Sequence, residues 1–228
     1  MSFTLSKYHF KSDRIFNDVN EQTLAELNTI KSLQHFLKGE LLYEEQSKPK
    51  AVYYLKKGKV KIEQLNPDGK VRIFYIYTDG EYFGFRPLLS NENNPVSATF
   101  LEDSEIEIYE GAAFKGIVAK SAELSFNLIE ILSYEFNVWI NLMSSLSHKS
   151  AKEKIALILL ILNEKYRDIN GVSEITMTKA DIARYTETTE ETVVRVLSFF
   201  AEQGIIHNEG RMFEVTSLPL LEIIAEGF

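Results

Sequence analysis

The sequence predicts an α+β chain in three consecutive parts. These are a jelly-roll-like β-roll over residues 1–118, one long helix over 119–147, and a C-terminal part over 148–228 built from short helices and a small hairpin. Three observations lead there. Short β-branched and aromatic runs broken by turn residues fill the first half. A stretch from Ser121 to Ser147, free of Pro and Gly, switches to a helical period. After it come brief amphipathic segments separated by capping residues and glycines.

Composition supports a well-buried core: of 228 residues, 45% are hydrophobic and 25% charged. The absence of cysteine excludes a disulfide framework, a thiolate nucleophile and a cysteine-ligated cluster. The opening MSFTLSKYHFKSDR lacks the apolar core of a secretory leader. The most apolar run, Ile155 to Leu162, is too short to span a bilayer. A cytoplasmic protein with no membrane partner is the expectation.

Residues 12–34 are predicted helical, with Ile15, Val19, Leu24, Leu27, Ile30 and Leu33 on one stripe and Asn20 as a cap. Strands follow at 51–55, 59–63, 71–75 and 105–109. Turns are expected at Lys57-Gly58, Asn66-Pro67-Asp68-Gly69, Asp79-Gly80 and Asn93-Asn94-Pro95. The second of these joins two alternating runs as a hairpin would. Many short strands at this spacing point to a closed roll.

In the long helix, Ile129, Leu132, Phe136, Trp139, Met143 and Leu146 are spaced as a coiled-coil seam requires. Leu124, Leu128, Ile131, Val138 and Leu142 form a second apolar stripe, interrupted by Glu135. Both faces must be buried. One fits the roll and the other a second copy of the chain, making a homodimer; burial of both faces within a monomer is the competing arrangement. Ala151 to Arg167 is predicted as the next helix, ended by Asn170-Gly171. Helices at 178–185 and 189–203 follow, with Gly204 as a stop and a hairpin turning at Asn208-Glu209-Gly210.

The stretch TKADIARYTETTEETVVRVL, residues 178–197, has the outline of a helix-turn-helix. Thr178 and Asp181 have capping-box spacing, Ala183 lets two helices approach closely, and Thr188 or Thr189 starts the second helix. Val193, Val196 and Leu197 anchor that helix. Glu190, Glu191, Thr192 and Arg195 are left on the half that reaches base edges in a major groove. Arg195 suits guanine or phosphate, and Glu191 suits a cytosine amino group. Thr178, Lys179 and Thr189 are candidates for the DNA backbone. The same outline would serve an ordinary helical hairpin with a solvated charged face. Charge is unfavourable for DNA: the whole chain carries −8, and residues 149–228 hold nine Lys+Arg against thirteen Asp+Glu.

Taken in order, roll, long helix and winged helix-turn-helix resemble the Crp/Fnr family of bacterial regulators. The resemblance rests on Lys38-Gly39-Glu40-Leu41-Leu42-Tyr43, on the run from Val52 to Val60, on Asp68-Gly69-Lys70 and on Asp79-Gly80-Glu81-Tyr82-Phe83-Gly84. In the C-terminal part it rests on Glu191-Thr192-Val193-x-Arg195 and Gly204-Ile205-Ile206. It implies a dimeric transcription regulator with a sensor roll, double-stranded DNA as partner, and RNA polymerase and a small-molecule effector as further candidates. Glu190 stands where family members offer Arg or Ser.

The resemblance also places an effector pocket at Tyr75, Gly84, Phe85, Arg86, Val96, Ser97 and Trp139. The family's nucleotide cassette pairs a Glu with the ribose and an Arg with the phosphate. Here Phe85 and Val96 take those places, and neither can serve. Binding of cyclic AMP in the usual way is therefore not expected. Arg86 lies one position from the cassette. His9, His35, His148 and His207 are scattered, which speaks against haem and against a metal-dependent cupin enzyme. No catalytic residue is singled out. The alternative function is a ligand-binding module that acts on proteins through its acidic C-terminal part.

Overall fold

A computed structural model describes residues 4–167, 173–210 and 212–227. The chain divides into two units, Phe10–Glu135 and a second made of Met1–His9 with Phe136–Phe228. The division falls inside the long helix.

The first unit opens with a 3-10 turn at Ser12–Arg14 and helix α1 at Glu21–Thr29. The predicted helix over 12–34 is thus cut at both ends. Asp18 takes a left-handed φ of 55°, and Asn20 caps α1 by accepting from the Thr23 amide. From Lys31 the backbone turns to strand, because it pairs along the edge of a sheet, Lys31 opposite Tyr109 through Phe36 opposite Ser104. A tertiary partner outweighs the helical period there. Leu33 consequently lies exposed on a strand rather than on a buried helix face.

The strands are β1 (Lys31–Phe36), β2 (Leu41–Tyr43), β3 (Ala51–Lys57), β4 (Val60–Leu65), β5 (Val71–Tyr77), β6 (Tyr82–Phe83), β7 (Ser97–Phe100) and β8 (Ser104–Glu110). They form two four-stranded antiparallel sheets, β1-β8-β3-β6 and β2-β7-β4-β5. Period-2 alternation sends Val60, Ile62, Tyr75, Tyr77, Ala98 and Phe100 into the roll, where all six are buried. Helix α2 (Phe85–Ser90) follows β6, and α3 (Gly111–Val118) follows β8. Glu110 caps α3 by accepting from the Ala112 and Ala113 amides. Neither short helix has a helical apolar period in sequence.

Helix α4 runs from Ala122 to His148. Its inward residues Leu124, Leu128 and Ile131 join a core with Val52, Phe85, Phe114 and Ile117.

In the second unit, α5 (Ala151–Lys165) starts with a full capping box between Ser150 and Glu153. The expected stop at Asn170-Gly171 lies outside the described residues. Helices α6 (Lys179–Thr186) and α7 (Glu190–Glu202) are followed by the hairpin β10 (Ile206–Glu209) and β11 (Met212–Val215). Strand β9 (Ile175–Thr176) adds a third strand to this hairpin through β11. Helix α8 (Leu218–Glu226) packs Leu221 and Ala225 inward. The sequence period did not mark β9 or α8.

Candidate nucleic-acid interface

Helices α6 and α7 form a locally determined corner. Thr178 caps α6: its hydroxyl accepts from the Asp181 amide at 3.0 Å and donates to the Asp181 carboxylate at 2.7 Å. Glu187 ends α6 in the left-handed region at φ 53°, and the Thr188 amide donates back to Ala183. Of the two candidate caps for α7, Thr189 is used; its hydroxyl accepts from the Thr192 amide at 3.2 Å. Ile182 and Ala183 are buried on α6, and Val193, Val196, Leu197 and Phe200 on α7. Gly204 takes φ 65° after α7, and the chain continues into the hairpin.

With that anchoring, the outward face of α7 carries Glu190, Glu191, Val194, Arg195 and Ser198. Val194, 45% exposed, has no place among the readers expected from sequence. Three valines at 193, 194 and 196 look alike, but at 3.6 residues per turn Val194 falls outside the stripe set by Val193, Leu197 and Phe200. Thr192 is half-buried, and its hydroxyl receives a hydrogen bond from Thr189 at 2.9 Å. The Lys179 ammonium donates to the Gly210 carbonyl at 2.9 Å and lies 5.5 Å from the Phe213 ring centre, joining α6 to the hairpin. The first turn of α7 holds Glu190 and Glu191. Their charges favour the helix start and oppose phosphate.

Two family models match the chain. "Cyclic nucleotide-binding domain" covers residues 33–121 and "Crp-like helix-turn-helix domain" covers residues 153–224. The chain belongs to the Crp/Fnr family of DNA-binding transcription regulators. It is 26% identical over 212 residues to the fumarate and nitrate reduction regulatory protein of Yersinia pestis, covering 91% of this chain and 84% of that one. The anaerobic regulatory protein of Haemophilus influenzae is 24% identical over 205 residues, with 88% and 79% covered. FixK2 from Bradyrhizobium japonicum shares the fold with a TM-score of 0.77 at 23% identity, over 86% of this chain and 97% of that one.

Crp/Fnr membership directs attention to the interior of the roll. Gly84 has φ 84°, and a Cβ there would meet the Tyr53 ring at 2.6 Å and the Ala51 carbonyl at 3.0 Å. Phe85 is fully buried. Tyr75 stacks on Phe10 with ring centres 3.9 Å apart. Its hydroxyl accepts from the Phe10 amide and donates to Glu81, each at 3.0 Å. The aromatic line continues through Tyr77, Phe83, Tyr53 and Tyr43 at centre separations of 5.0, 4.6, 5.3 and 5.6 Å. Arg86 donates to the Tyr77 hydroxyl at 2.9 Å, pairs with Glu135 of α4, and stacks over Phe10 and Phe85. Burial pushes the Tyr77 phenol up to about 12. Tyr75, Gly84, Phe85 and Arg86 are therefore close neighbours. Val96 and Ser97 sit half-exposed at and beside β7, where the Ser97 hydroxyl accepts from the Glu45 amide. Trp139 belongs to the other unit. Sequence alone did not pair Arg86 with Glu135, since 49 residues separate them.

Along α4 the proposed seam divides. Ile129, Phe136 and Met143 are 60%, 66% and 61% exposed, while Leu132 and Trp139 are half-buried and Leu146 is buried. Phe126 and Ile140 join the exposed stripe. The positions facing out thus run 126, 129, 133, 136, 140, 143 and 147, a heptad rotated away from the inward stripe. Ser133 and Ser147 occupy the polar steps, and each hydroxyl donates to its own helix carbonyl four residues back at 2.7 Å.

Proposed function

We propose that this regulator binds operator DNA as a homodimer, in the cytoplasm, with Glu191, Val194 and Arg195 of each copy reading base edges and without cyclic AMP in its roll. The outward face of α7 carries this reading: three exposed side chains of different chemistry on a helix held by four buried ones. Arg195 offers the two-pronged donor that guanine accepts, Val194 an apolar surface for a thymine methyl, and Glu191 an acceptor for a cytosine amino group. Thr178, Lys179 and Thr189 lie toward the backbone side, with Thr192 mainly serving the cap. Glu190 faces phosphate as a repulsive charge.

The dimer is supported by the exposed stripe on α4. Burying Phe126, Ile129, Phe136, Ile140 and Met143 against a second copy removes large apolar side chains from water. The two serines already bond to their own helix, so their burial strands no donor. Two copies would set two recognition helices on half-sites about one DNA turn apart, roughly 34 Å. Promoter DNA bound by such a dimer brings RNA polymerase within reach as a further partner. The buried, stacked aromatic side chains of the interior support a roll that takes no nucleotide, and Phe85 and Val96 supply none of the cassette's polar contacts.

Fluorescence anisotropy on DNA recovered by genome-wide mapping in the native host tests the assignment. Arg195→Ala should weaken binding by about 1–3 kcal/mol, roughly five- to 150-fold, and relax preference at one base pair. Unchanged affinity and preference would remove Arg195 from the reader set.

A further inference from the structure

A carboxylate is buried on α4 with half its hydrogen-bonding capacity unused. Glu135 is 1% exposed, and its Oε2 pairs with the Arg86 guanidinium. Its Oε1 is buried without any hydrogen-bond partner among the described residues. A carboxylate has room for several donors, and a bare oxygen in a low-dielectric interior is costly. Nearby, Glu81 shows what a satisfied buried carboxylate looks like. It accepts from the Thr78 amide at 2.7 Å, the Thr78 hydroxyl at 3.1 Å and the Tyr75 hydroxyl at 3.0 Å.

The groups around Glu135 come from several elements. Helix α2 brings Arg86, β5 brings the Tyr77 hydroxyl, and the turn before β6 brings Glu81 as a second negative charge. Lys11 of the N-terminal segment lies over the ring of Tyr134, the residue before Glu135, at 4.1 Å. Arg86 does not depend on Glu135 alone. It also donates to Tyr77 and stacks on Phe10 and Phe85, with its side chain 27% exposed. Arg86 can therefore keep its place whether its partner is ionised or protonated.

We propose that Glu135 is a proton-held latch between α4 and the roll: a proton on the otherwise unpartnered Oε1 lets the carboxyl stay buried beside Arg86, and loss of that proton leaves a bare charged oxygen that loosens the first half of α4 from the roll. Burial pushes the Glu135 carboxyl up to about 7; Arg86 pulls it down and Glu81 pushes it up. The carboxyl thus titrates in the physiological range.

The latch is tested on the full-length protein by infrared spectroscopy of the protonated-carboxyl stretch during a titration across neutrality. One band should disappear with a midpoint near 7. It should be absent from Glu135→Gln, which keeps the side-chain shape. Arg86→Gln keeps the carboxyl and removes the cation, so the same midpoint should move upward. Amide hydrogen exchange of residues 128–138, corrected for intrinsic rates, should speed up as pH rises through this range. Each unit by which the carboxyl's pKa differs between fastened and loosened states corresponds to about tenfold. A neutral-range band that persists in Glu135→Gln, a midpoint unmoved by Arg86→Gln, or exchange indifferent to pH would each overturn the latch. None of these readouts requires DNA, so failure of operator binding leaves them intact.

Discussion

Replacing Glu190 by Arg should tighten DNA binding and weaken the fold at the same time. Glu190 is exposed at the first position of α7, directly after the Thr189 cap. The cap bonds through the Thr189 side chain and the Thr192 amide, so the substitution leaves it in place. Two effects then oppose each other. The helix start loses a favourable negative charge and gains an unfavourable positive one, each worth about 0.3–1 kcal/mol, for a loss near 1 kcal/mol. At the DNA surface, one further phosphate contact per copy makes the slope of log affinity against log salt steeper by about 0.9, or about 1.8 for a dimer. Over a fourfold rise in salt the variant's advantage should therefore shrink roughly tenfold. Anisotropy titrations at several salt concentrations measure the slope, and thermal unfolding of free protein measures the stability loss. Glu190→Gln should fall between the two in affinity. An unchanged salt slope in Glu190→Arg would mean that the start of α7 does not face phosphate, and the docking of this helix would have to be abandoned.

Other predictions concern the rest of the chain. Phe136→Glu, on the exposed stripe of α4, should convert the proposed dimer to monomer in sedimentation velocity while helicity by circular dichroism stays unchanged; a dimer that persists would exclude this stripe as its interface. Gly84→Ala should destabilise the roll by about 2–4 kcal/mol in denaturant unfolding, combining left-handed backbone cost with overpacking against Tyr53. Acid and neutral stability should respond to two groups with opposite signs. Burial, reinforced by Lys165, lowers the His9 imidazole from 6.5 to about 4, so the folded state binds fewer protons there and stability rises with pH across that window. Glu135 is raised from 4.5 to about 7, so the folded state binds more protons and stability falls as pH rises across its window. Glu135→Gln should leave a stability curve that only climbs through the His9 range, and His9→Gln one that only declines; chemical denaturation at a series of pH values separates them.

The parts of the fold that were legible in sequence are those set by local physics. The hairpin at Asn66-Pro67-Asp68-Gly69 carries its own turn chemistry, and the starts of α6 and α7 carry their own caps at Thr178 and Thr189. The helix expected over residues 12–34 survives only as α1, because Lys31–Phe36 finds a partner strand about 75 residues away, which no local period announces. Helices α2 and α3 are too short to show a period, and α8 follows the hairpin with apolar residues nearly all round. At the candidate interface, the buried anchors of α7 followed from spacing, whereas Val194 was hidden by two neighbouring valines. Within the roll, sequence put Phe85 at a cassette position, and the structure buries it fully. Sequence could not foresee that Arg86 would spend its charge on a carboxylate from α4, because that pairing exists only after the roll and the helix have met.

The two serines in the exposed stripe of α4 bear on how firmly two copies hold together. Ser133 and Ser147 interrupt a seam otherwise made of Phe, Ile and Met, and contribute little apolar area where a Leu would contribute about 2 kcal/mol. In the proposed dimer, a seam softened at these steps would set a reversible association, and occupancy of a two-half-site operator would climb with the square of chain concentration at low abundance. Synthesis and turnover of the protein would then be control variables in their own right: halving the number of copies in the cell would remove about three quarters of the proposed dimers.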